Sequence, residues 1–261
     1  MNFKILNINK KYNFFENYFK SFGLGGILAD KNFYKRSINE MNVKSAYEPE
    51  LDDLYLLHNY IIKYKRMTVL EFGTGWSTLV MANAVKYNIN KYFKNIKNLR
   101  LNNAGQIHTI DNEKKWNKVT KAKTKQYSKH VKIHYSEAKM DIFNGRICTS
   151  FKSLPKINPD FIYLDGPDQF NINGNQNGIN LNHNDLMPMS CDILKIENFL
   201  KPGTIIVVDG RAANSRFLKV NFQRGWKYGY NKINDQHVFY LNEKPLGKLN
   251  QKQLNFYFKK K

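Results

Sequence analysis

Residues 67–78 read Met-Thr-Val-Leu-Glu-Phe-Gly-Thr-Gly-Trp-Ser-Thr, and this stretch decides the fold. A short apolar run leads to the carboxylate of Glu71, two glycines follow at Gly73 and Gly75, and helix-compatible apolar residues come next. The pattern predicts a buried strand, a tight glycine turn and a helix N-terminus, which the hydroxyl residue at either of the last two positions can cap. Glycine also lets the backbone approach a ligand closely. An ordinary strand–turn–helix junction is the alternative, so residues further along must support a ligand site.

The composition indicates one large domain with a substantial apolar core. The chain has 261 residues, 42% of them hydrophobic, and 42 basic against 21 acidic residues give a net charge of +21. Such a charge suggests an anionic partner, namely nucleic acid, a membrane surface or an acidic substrate. Lysine, asparagine, isoleucine, tyrosine and phenylalanine are all abundant, however, as an A/T-rich coding sequence produces. We favour compositional drift, which predicts basic residues spread over the surface and the terminal segments.

The cysteines and the hydropathy pattern suggest a cellular setting. Cys148 and Cys191 show neither metal-ligand spacing nor a disulfide framework. The sequence shows no signal peptide, and its longest aliphatic runs, such as residues 205–208, are far too short to span a membrane. We therefore expect a soluble protein in the reducing cytoplasm.

Three segments are expected. Residues 1–45 form an N-terminal helical and aromatic extension, residues 46–242 the main domain, and residues 243–261 a basic, peripheral tail. Aromatic residues recur at helical spacing in the extension, where they predict packing against the same domain or, in a homodimer, against a second subunit. This aromatic stripe consists of Phe14, Phe15, Tyr18, Phe19 and Phe22.

Strand and helix patterns alternate along the main domain. They predict an α/β fold of the Rossmann-like, doubly wound kind, with a mainly parallel sheet and a C-terminal antiparallel strand hairpin. The predicted strands after the first are residues 107–110, 131–135, 161–164, 204–208, 226–232 and 237–241, with an extra strand at 146–151. The predicted helices are residues 49–64, one containing Trp116, 188–200 and 212–222, while 86–103 form a helix tail with a surface excursion and 171–184 an irregular segment.

Carboxylates stand at or just beyond the ends of the predicted strands. One such carboxylate is routine in turns, but several at successive strand ends predict one polar crevice that recognises hydroxyls, an amine or a metal. They are Glu71, Asp111, Glu137, Asp165 and Asp209.

In the order and spacing of these motifs, residues 46–241 of the chain resemble the class I methyltransferases that use S-adenosylmethionine. The matching pieces are residues 69–75, the carboxylates after the second, third and fourth strands, the Leu-Lys-Pro-Gly run at 200–203, and the terminal hairpin. Two departures stand out. Ser77 replaces the usual third glycine, and Asp111 follows Glu71 by 40 residues, a spacing that the 86–103 excursion accounts for.

The resemblance implies S-adenosylmethionine as the cofactor and a role for each matching position. The turn from Gly73 to Gly75 would pass under the methionine part of the cofactor, and Glu71 would orient its amino group. Asp111 would accept the ribose hydroxyls and Glu137 the adenine amino group, with Trp116 or Ile110 over the adenine face. The remaining cofactor-binding candidates are Phe72, Thr74, Ser77 and Asp165.

The implied activity is methyl transfer to oxygen of a small-molecule or sugar acceptor. Asp165, Asp168 and Asp209 are the catalytic candidates, His237 is a weaker one, and the 171–184 segment could fold over the acceptor. A divalent metal held by Asp165 and Asp209, with Asn214, is the less favoured alternative. Metal-dependent relatives place an Asp-Asn pair after the fifth strand, whereas Gly210 follows Asp209 here.

Three other functions stay open. A nucleic-acid methyltransferase would suit the charge, but the sequence has no Asn/Asp-Pro-Pro-aromatic motif and no paired catalytic cysteine. A nicotinamide-dependent dehydrogenase favours Gly-x-Gly-x-x-Gly, and position 78 is threonine. A cofactor-free binding module would leave Glu71 and Asp111 without a shared ligand.

Overall fold

The computed structural model of the protein describes residues 3–28 and 49–258. The described helices are α1 (Tyr12–Ser21), α2 (Leu51–Lys63), α3 (Trp76–Ile96), α4 (Lys114–Lys123), α5 (Asp192–Ile196), α6 (Ala212–Asn221) and α7 (Gly247–Phe258). The described strands are β1 (Thr68–Phe72), β2 (Gln106–Asp111), β3 (Val131–Tyr135), β4 (Ala138–Phe143), β5 (Arg146–Phe151), β6 (Phe161–Leu164), β7 (Ile172–Asn173), β8 (Ile205–Val208), β9 (Trp226–Asn231) and β10 (Gln236–Leu241). No helix within these ranges is long and apolar enough to cross a membrane.

A seven-stranded sheet forms the centre of the molecule, in the order β3-β2-β1-β6-β8-β10-β9. The first five strands are parallel, and β10 pairs antiparallel with both β8 and β9. One apolar cluster packs α1, α2 and α3 on alternate strand residues such as Val69, and a second packs α5 and α6 on the opposite face. Both the Rossmann-like, doubly wound fold and the C-terminal antiparallel hairpin are therefore confirmed.

Strand β1 is longer than the sequence predicted. Its parallel pairing with β2 and β6 continues through Glu71 and Phe72, so Glu71 lies inside the strand rather than after it. Residues 86–103 contain no strand; α3 continues to Ile96 with non-helical geometry at Tyr92. Asp111 therefore belongs to the strand beside β1, as the resemblance requires.

A second, three-stranded sheet has the order β5-β4-β7. It confirms the extra strand at 146–151, but β4 was not predicted. Asn144 and Gly145 join β4 to β5 and both have positive φ angles, as a two-residue hairpin turn requires. The prediction for 171–184 was incomplete, because Ile172 pairs with Ala138 and starts the short strand β7.

The predicted helix at 188–200 is wrong over its first turn. The Thr149 amide of β5 donates to the carbonyl of Met189, and the Cys191 amide donates to the carbonyl of Thr149, so this segment runs beside β5 before the helix begins. The helix starts at Asp192, whose carboxylate accepts a bond from the Phe151 amide at 3.1 Å.

The aromatic stripe of α1 packs within its own chain. Phe19 is fully buried, and the Tyr18 hydroxyl lies 2.7 Å from Nδ1 of His58 on α2. The stripe therefore packs in its own chain, which is the first of the two predicted alternatives, and a homodimer stays a prediction. Part of the 1–45 extension lies outside the described residues, so this boundary stays a prediction.

The C-terminal tail is not peripheral. Leu254 and Tyr257 of α7 are buried, and the Tyr257 hydroxyl donates to Oδ2 of Asp160 at 2.7 Å. Asp160 in turn accepts from the amides of Met67 and Thr68, which start β1. Helix α7 therefore closes the amino end of the sheet, and the expected basic tail beyond 242 contributes to the core.

Candidate active site

Five parallel strands deliver their carboxyl ends to one edge of the sheet. The ladder continues past the strands themselves, since the Asp165 amide donates to the carbonyl of Phe72 at 2.9 Å. The Asp209 amide likewise donates to the carbonyl of Leu164 at 3.2 Å. The residues after β1, β6 and β8 are consequently neighbours, as expected for a ligand crevice in an open α/β sheet.

The turns after β1 and β6 meet backbone to backbone. A Cβ on Gly166 would lie 2.7 Å from the amide nitrogen of Gly73, closer than real Cβ contacts allow. Gly73 also has a φ of +96°, which favours glycine. A Cβ on Gly75, in contrast, would meet no atom within 4 Å. The turn is therefore tightly packed at Gly73 and open at Gly75, and the open side offers backbone to a ligand.

The side chain of Glu71 fixes the glycine turn through hydrogen bonds. Its carboxylate is fully buried and accepts hydrogen bonds from the Ser77 hydroxyl at 2.5 Å and the Thr78 hydroxyl at 2.6 Å. Thr78 Oγ1 also accepts from the Gly75 amide at 3.1 Å. Helix α3 begins at Trp76, so Gly75 is the capping position and the expected N-cap at 77 or 78 is wrong.

Burial is the main cause of an unusual pKa at Glu71. It raises the pKa of this carboxyl to about 7, although hydrogen bonds from Ser77, Thr78 and Thr109 oppose the shift. Both oxygens already have hydroxyl donors, so the structure assigns Glu71 to the glycine turn. Its direct contact with a cofactor amino group stays a prediction.

Asp111 ends β2 at the same edge of the sheet. It is 8% exposed, and its Oδ1 accepts from the Glu113 amide at 2.6 Å. Burial, together with the charges of Glu113 and Asp168, raises its pKa to about 7. A carboxylate in this setting gains from further hydrogen-bond donors, and two ribose hydroxyls supply them. Its role in binding a ribose stays a prediction.

Asp165 and Asp209 lie together at the ends of β6 and β8. Burial and the charge of Asp209 raise the pKa of Asp165, while the guanidinium of Arg211 lowers it. Arg211 Nη2 lies 3.4 Å from Asp165 Oδ1, and Nη1 donates to the carbonyl of Pro167 at 3.2 Å. The structure therefore brings two catalytic candidates together and adds one cation that the sequence analysis missed.

A third carboxylate, from α2, lies near this pair. Asp53 accepts from the Gln236 amide at 3.0 Å and is buried, and its pKa is raised by burial with a contribution from the charge of Asp209. The sequence places Asp53 in the first turn of the predicted helix at 49–64, where acidic residues are common. No local signal distinguishes the two roles, because the approach of α2 to β10 depends on the tertiary fold.

Asp168 and His237 lie elsewhere. Asp168 caps the turn that follows it, accepting from the Phe170 amide at 2.9 Å, and its charge acts on Asp111. His237 is 5% exposed, its Nδ1 lies 2.8 Å from the Tyr228 hydroxyl, and its ring stacks on Tyr230 with centroids 4.5 Å apart. This environment supports a structural role for His237.

The other cofactor-binding candidates differ in accessibility. The side chains of Phe72 and Ile110 are fully buried in the core, which excludes Ile110 from an exposed adenine face and limits Phe72 to backbone contacts. Glu137 is exposed, with its carboxylate 3.7 Å from the Lys152 ammonium. Trp116 is half-buried. The assignments to Glu137, Thr74 and Trp116 stay predictions.

A complete set of metal donors is not assembled among the described residues. Within residues 3–28 and 49–258, no three His, Cys, Asp or Glu side chains form a group suited to a metal ion. Gly210 stands where metal-dependent relatives have the asparagine of the Asp-Asn pair, so that ligand is missing here. Asn214 is fully buried in α6.

The 171–184 segment reaches the crevice at one point. Asn112, just after β2, donates through Nδ2 to the carbonyl of Asn171 at 2.8 Å. The segment is therefore tied to the β2 end of the site. Its closure over an acceptor stays a prediction.

Comparisons with known proteins give only remote structural similarity. No family model and no curated sequence matches the chain. Among solved structures, it is similar to an O-methyltransferase from Bacillus cereus in complex with SAH, with 12% identity, 90% of this chain and 92% of that chain covered, and a TM-score of 0.41. It is also similar to the O-methyltransferase TomG from Streptomyces achromogenes in complex with SAM, with 13% identity, 91% and 93% covered, and a TM-score of 0.41. A third similar structure is the SAH-bound methyltransferase PaMTH1 from Podospora anserina, with 12% identity, 91% of this chain and 99% of that chain covered, and a TM-score of 0.44. Similarity at this level carries no argument about chemistry, which rests on the geometry of the site.

Proposed function

We propose that this protein transfers a methyl group from S-adenosylmethionine to a hydroxyl oxygen of a small-molecule or sugar acceptor. The observation that carries the proposal is the meeting of the Gly73–Gly75 turn with the carboxylates of Asp111 and Asp165 at one edge of the sheet. This edge lies at the point where the strand order reverses, between β1 and β6. Open α/β sheets bind their ligands at such a point.

The residues present suit this cofactor. Gly75 leaves open space above the turn, and Asp111 is a buried carboxylate with room in its hydrogen-bonding capacity for a hydroxyl pair. The cofactor would bring a methyl group already activated by its sulfonium. What remains for the protein is to align the acceptor and accept its proton.

Asp165 is the residue we assign to the acceptor proton. It stands at the end of β6, beside the glycine turn, and burial together with the charge of Asp209 raises its pKa toward the range of an effective general base. Arg211 holds it by the contact at 3.4 Å. Asp209 shares the same end of the sheet and would orient the acceptor hydroxyl.

A nicotinamide dehydrogenase fits this site less well. Thr78 stands where the third glycine of the dinucleotide motif would be, and its hydroxyl is already engaged by Glu71 and Gly75. The sheet also ends in an antiparallel hairpin, whereas the usual dinucleotide fold has six parallel strands.

We also infer a cytoplasmic setting. Cys148 and Cys191 are both buried and form no disulfide, which suits a reducing compartment.

Calorimetric titration of the purified protein tests the proposal. S-Adenosylmethionine and S-adenosylhomocysteine are each expected to saturate one site, while NAD⁺ and NADP⁺ at the same concentrations give no binding heat. Binding of a dinucleotide in preference to S-adenosylmethionine would replace the proposal with a dehydrogenase.

A further inference from the structure

The positive charge of the chain lies in its two terminal segments and in one internal stretch. Residues 72–136 contain 12 lysines and one arginine against two acidic residues, a balance of +11 out of +21. The two acidic residues, Asp111 and Glu113, lie at the crevice end of β2. The terminal segments, which were expected to be basic, carry a further +10 in residues 1–45 and 243–261, and the rest of the chain is close to neutral.

These basic residues belong to elements that pack together at one end of the main sheet. β3 is the outermost strand at that end of the main sheet, and α4 packs beside β3 and against α3. We use the name basic edge for the outer surface formed by three parts of the chain. They are α3 beyond residue 85, α4, and the residues from α4 through β3. Its lysines are mostly exposed, including Lys94, Lys118, Lys121, Lys129 and Lys132.

Exposed aromatic rings lie among these lysines. Phe93 is 57% exposed, and the Lys97 ammonium lies 4.6 Å from the centre of its ring. Tyr135 is 44% exposed, and the Lys114 ammonium lies 4.8 Å from its ring centre. Aromatic rings and lysines with apolar stems are the combination that settles at the boundary between lipid headgroups and acyl chains.

We propose that the basic edge docks this protein on an anionic membrane surface. The edge is the outside of two helices and an edge strand, which suits a broad, flat anionic surface better than the groove that tracks a nucleic-acid strand. Its cations are nearly all lysines, which act as point charges and need no defined phosphate geometry, whereas arginine predominates where phosphates and bases are read specifically. Docking is independent of the proposed methyl transfer.

The expected strength follows from the charges. A lysine near an anionic leaflet contributes about fivefold to the binding constant, so four of them contribute at most several hundredfold. Not every lysine reaches the surface at once, and removal of four should therefore weaken binding at least ~10-fold. Raising the salt concentration should weaken it further, because the Debye length falls below 10 Å above 0.1 M.

The test compares two charge-matched variants of the full chain. In the first, four exposed lysines of the basic edge are replaced, as Lys94→Gln, Lys118→Gln, Lys121→Gln and Lys129→Gln. In the control, four exposed lysines outside the edge are replaced, as Lys227→Gln, Lys232→Gln, Lys244→Gln and Lys248→Gln. Both lose the same charge, and circular dichroism establishes that both fold.

Vesicle co-sedimentation at 0.1 M salt gives the readout. Wild-type protein should bind vesicles of phosphatidylcholine with ~30% phosphatidylserine and not vesicles of phosphatidylcholine alone. The basic-edge variant should bind at least ~10-fold more weakly and the control within ~3-fold of wild type. Phe93→Ser should reduce the binding that persists at high salt.

Three results would overturn the proposal. Wild-type protein that ignores the anionic vesicles excludes docking. Equal losses in the two variants would show that net charge acts without a defined surface. Tighter binding to single-stranded RNA than to the anionic vesicles at the same salt, lost in the basic-edge variant, would assign the edge to nucleic acid.

Discussion

Replacing Thr78 by valine should weaken the glycine turn on which the site depends. The variant keeps the side-chain shape but removes a fully buried hydroxyl that donates to Glu71 at 2.6 Å and accepts from the Gly75 amide at 3.1 Å. A hydrogen bond to a charged group contributes ~1.5–3 kcal/mol, and the amide loses its acceptor as well. We expect Thr78→Val to lower the free energy of unfolding by about 2–4 kcal/mol at pH 8.

Thr124→Val is the matched control. The Thr124 hydroxyl is also buried, but it donates only to the neutral carbonyl of Thr120, at 2.7 Å, so its loss should cost ~0.5–1.5 kcal/mol. Urea unfolding followed by circular dichroism measures both variants. At pH 5 the carboxyl of Glu71, whose pKa is about 7, is neutral in the folded protein, and the difference between the variants should shrink. A cost for Thr78→Val no larger than the control, or a gap unchanged at pH 5, would refute the role given to Glu71.

The ligand-free protein should lose stability as the pH rises from 6.5 to 8. Glu71 and Asp111 have pKa values of about 7 when folded and near 4 when unfolded, so the folded state binds more protons than the unfolded state in this window. The free energy of unfolding should therefore fall by roughly 1 kcal/mol per group across it. Thermal unfolding at several pH values checks this, and Glu71→Gln should make stability depend less on pH. Gly166→Ala should destabilise by about 1–3 kcal/mol because its Cβ meets backbone at Gly73, while Gly26→Ala, which points into open space, should change stability little in the same urea assay. Asp165→Asn should reduce turnover ~10²–10⁴-fold and change cofactor affinity only several-fold; a comparable loss of affinity in titration would make it a binding residue.

The parallel half of the sheet was predictable because its strands are short apolar runs separated by amphipathic helices. Phe161–Leu164 and Val131–Tyr135 were predicted at their observed bounds. The reversed hairpin was also predictable, since Asn234 and Asp235 separate two strand patterns. In these regions, local pattern and tertiary packing favour the same structure.

The elements that were not predicted are mostly those whose secondary structure depends on tertiary contacts. Strand β4 had a local signal, the Asn144-Gly145 turn, which the sequence analysis passed over. Met189 resembles a helix residue but lies beside β5, which offers it a backbone partner. The sequence of α7 alone does not distinguish a packed helix from a loose basic tail, because its packing depends on the hydrogen bond from Tyr257 to the distant Asp160.

The site shows the same division. Asp111, Asp165 and Asp209 were found from the sequence because strand ends in a parallel sheet converge at one edge. Arg211 and Asp53 were not, because their contacts come from a loop and a helix whose positions depend on the complete fold. The hydroxyl bonds of Glu71 were also invisible, since Ser77 and Thr78 had been read as helix caps.

The central claim is that Asp111 holds the ribose of S-adenosylmethionine. The most direct measurement is calorimetric titration of wild type, Asp111→Ala and Asp168→Ala with S-adenosylhomocysteine, after circular dichroism shows that all three are folded. Loss of a charged hydrogen-bond partner costs ~1–3 kcal/mol, so Asp111→Ala should bind roughly 5- to 150-fold more weakly, and Asp168→Ala should stay within several-fold of wild type. A folded Asp111→Ala variant with unchanged affinity, or a wild-type protein that gives no binding heat, would contradict the account.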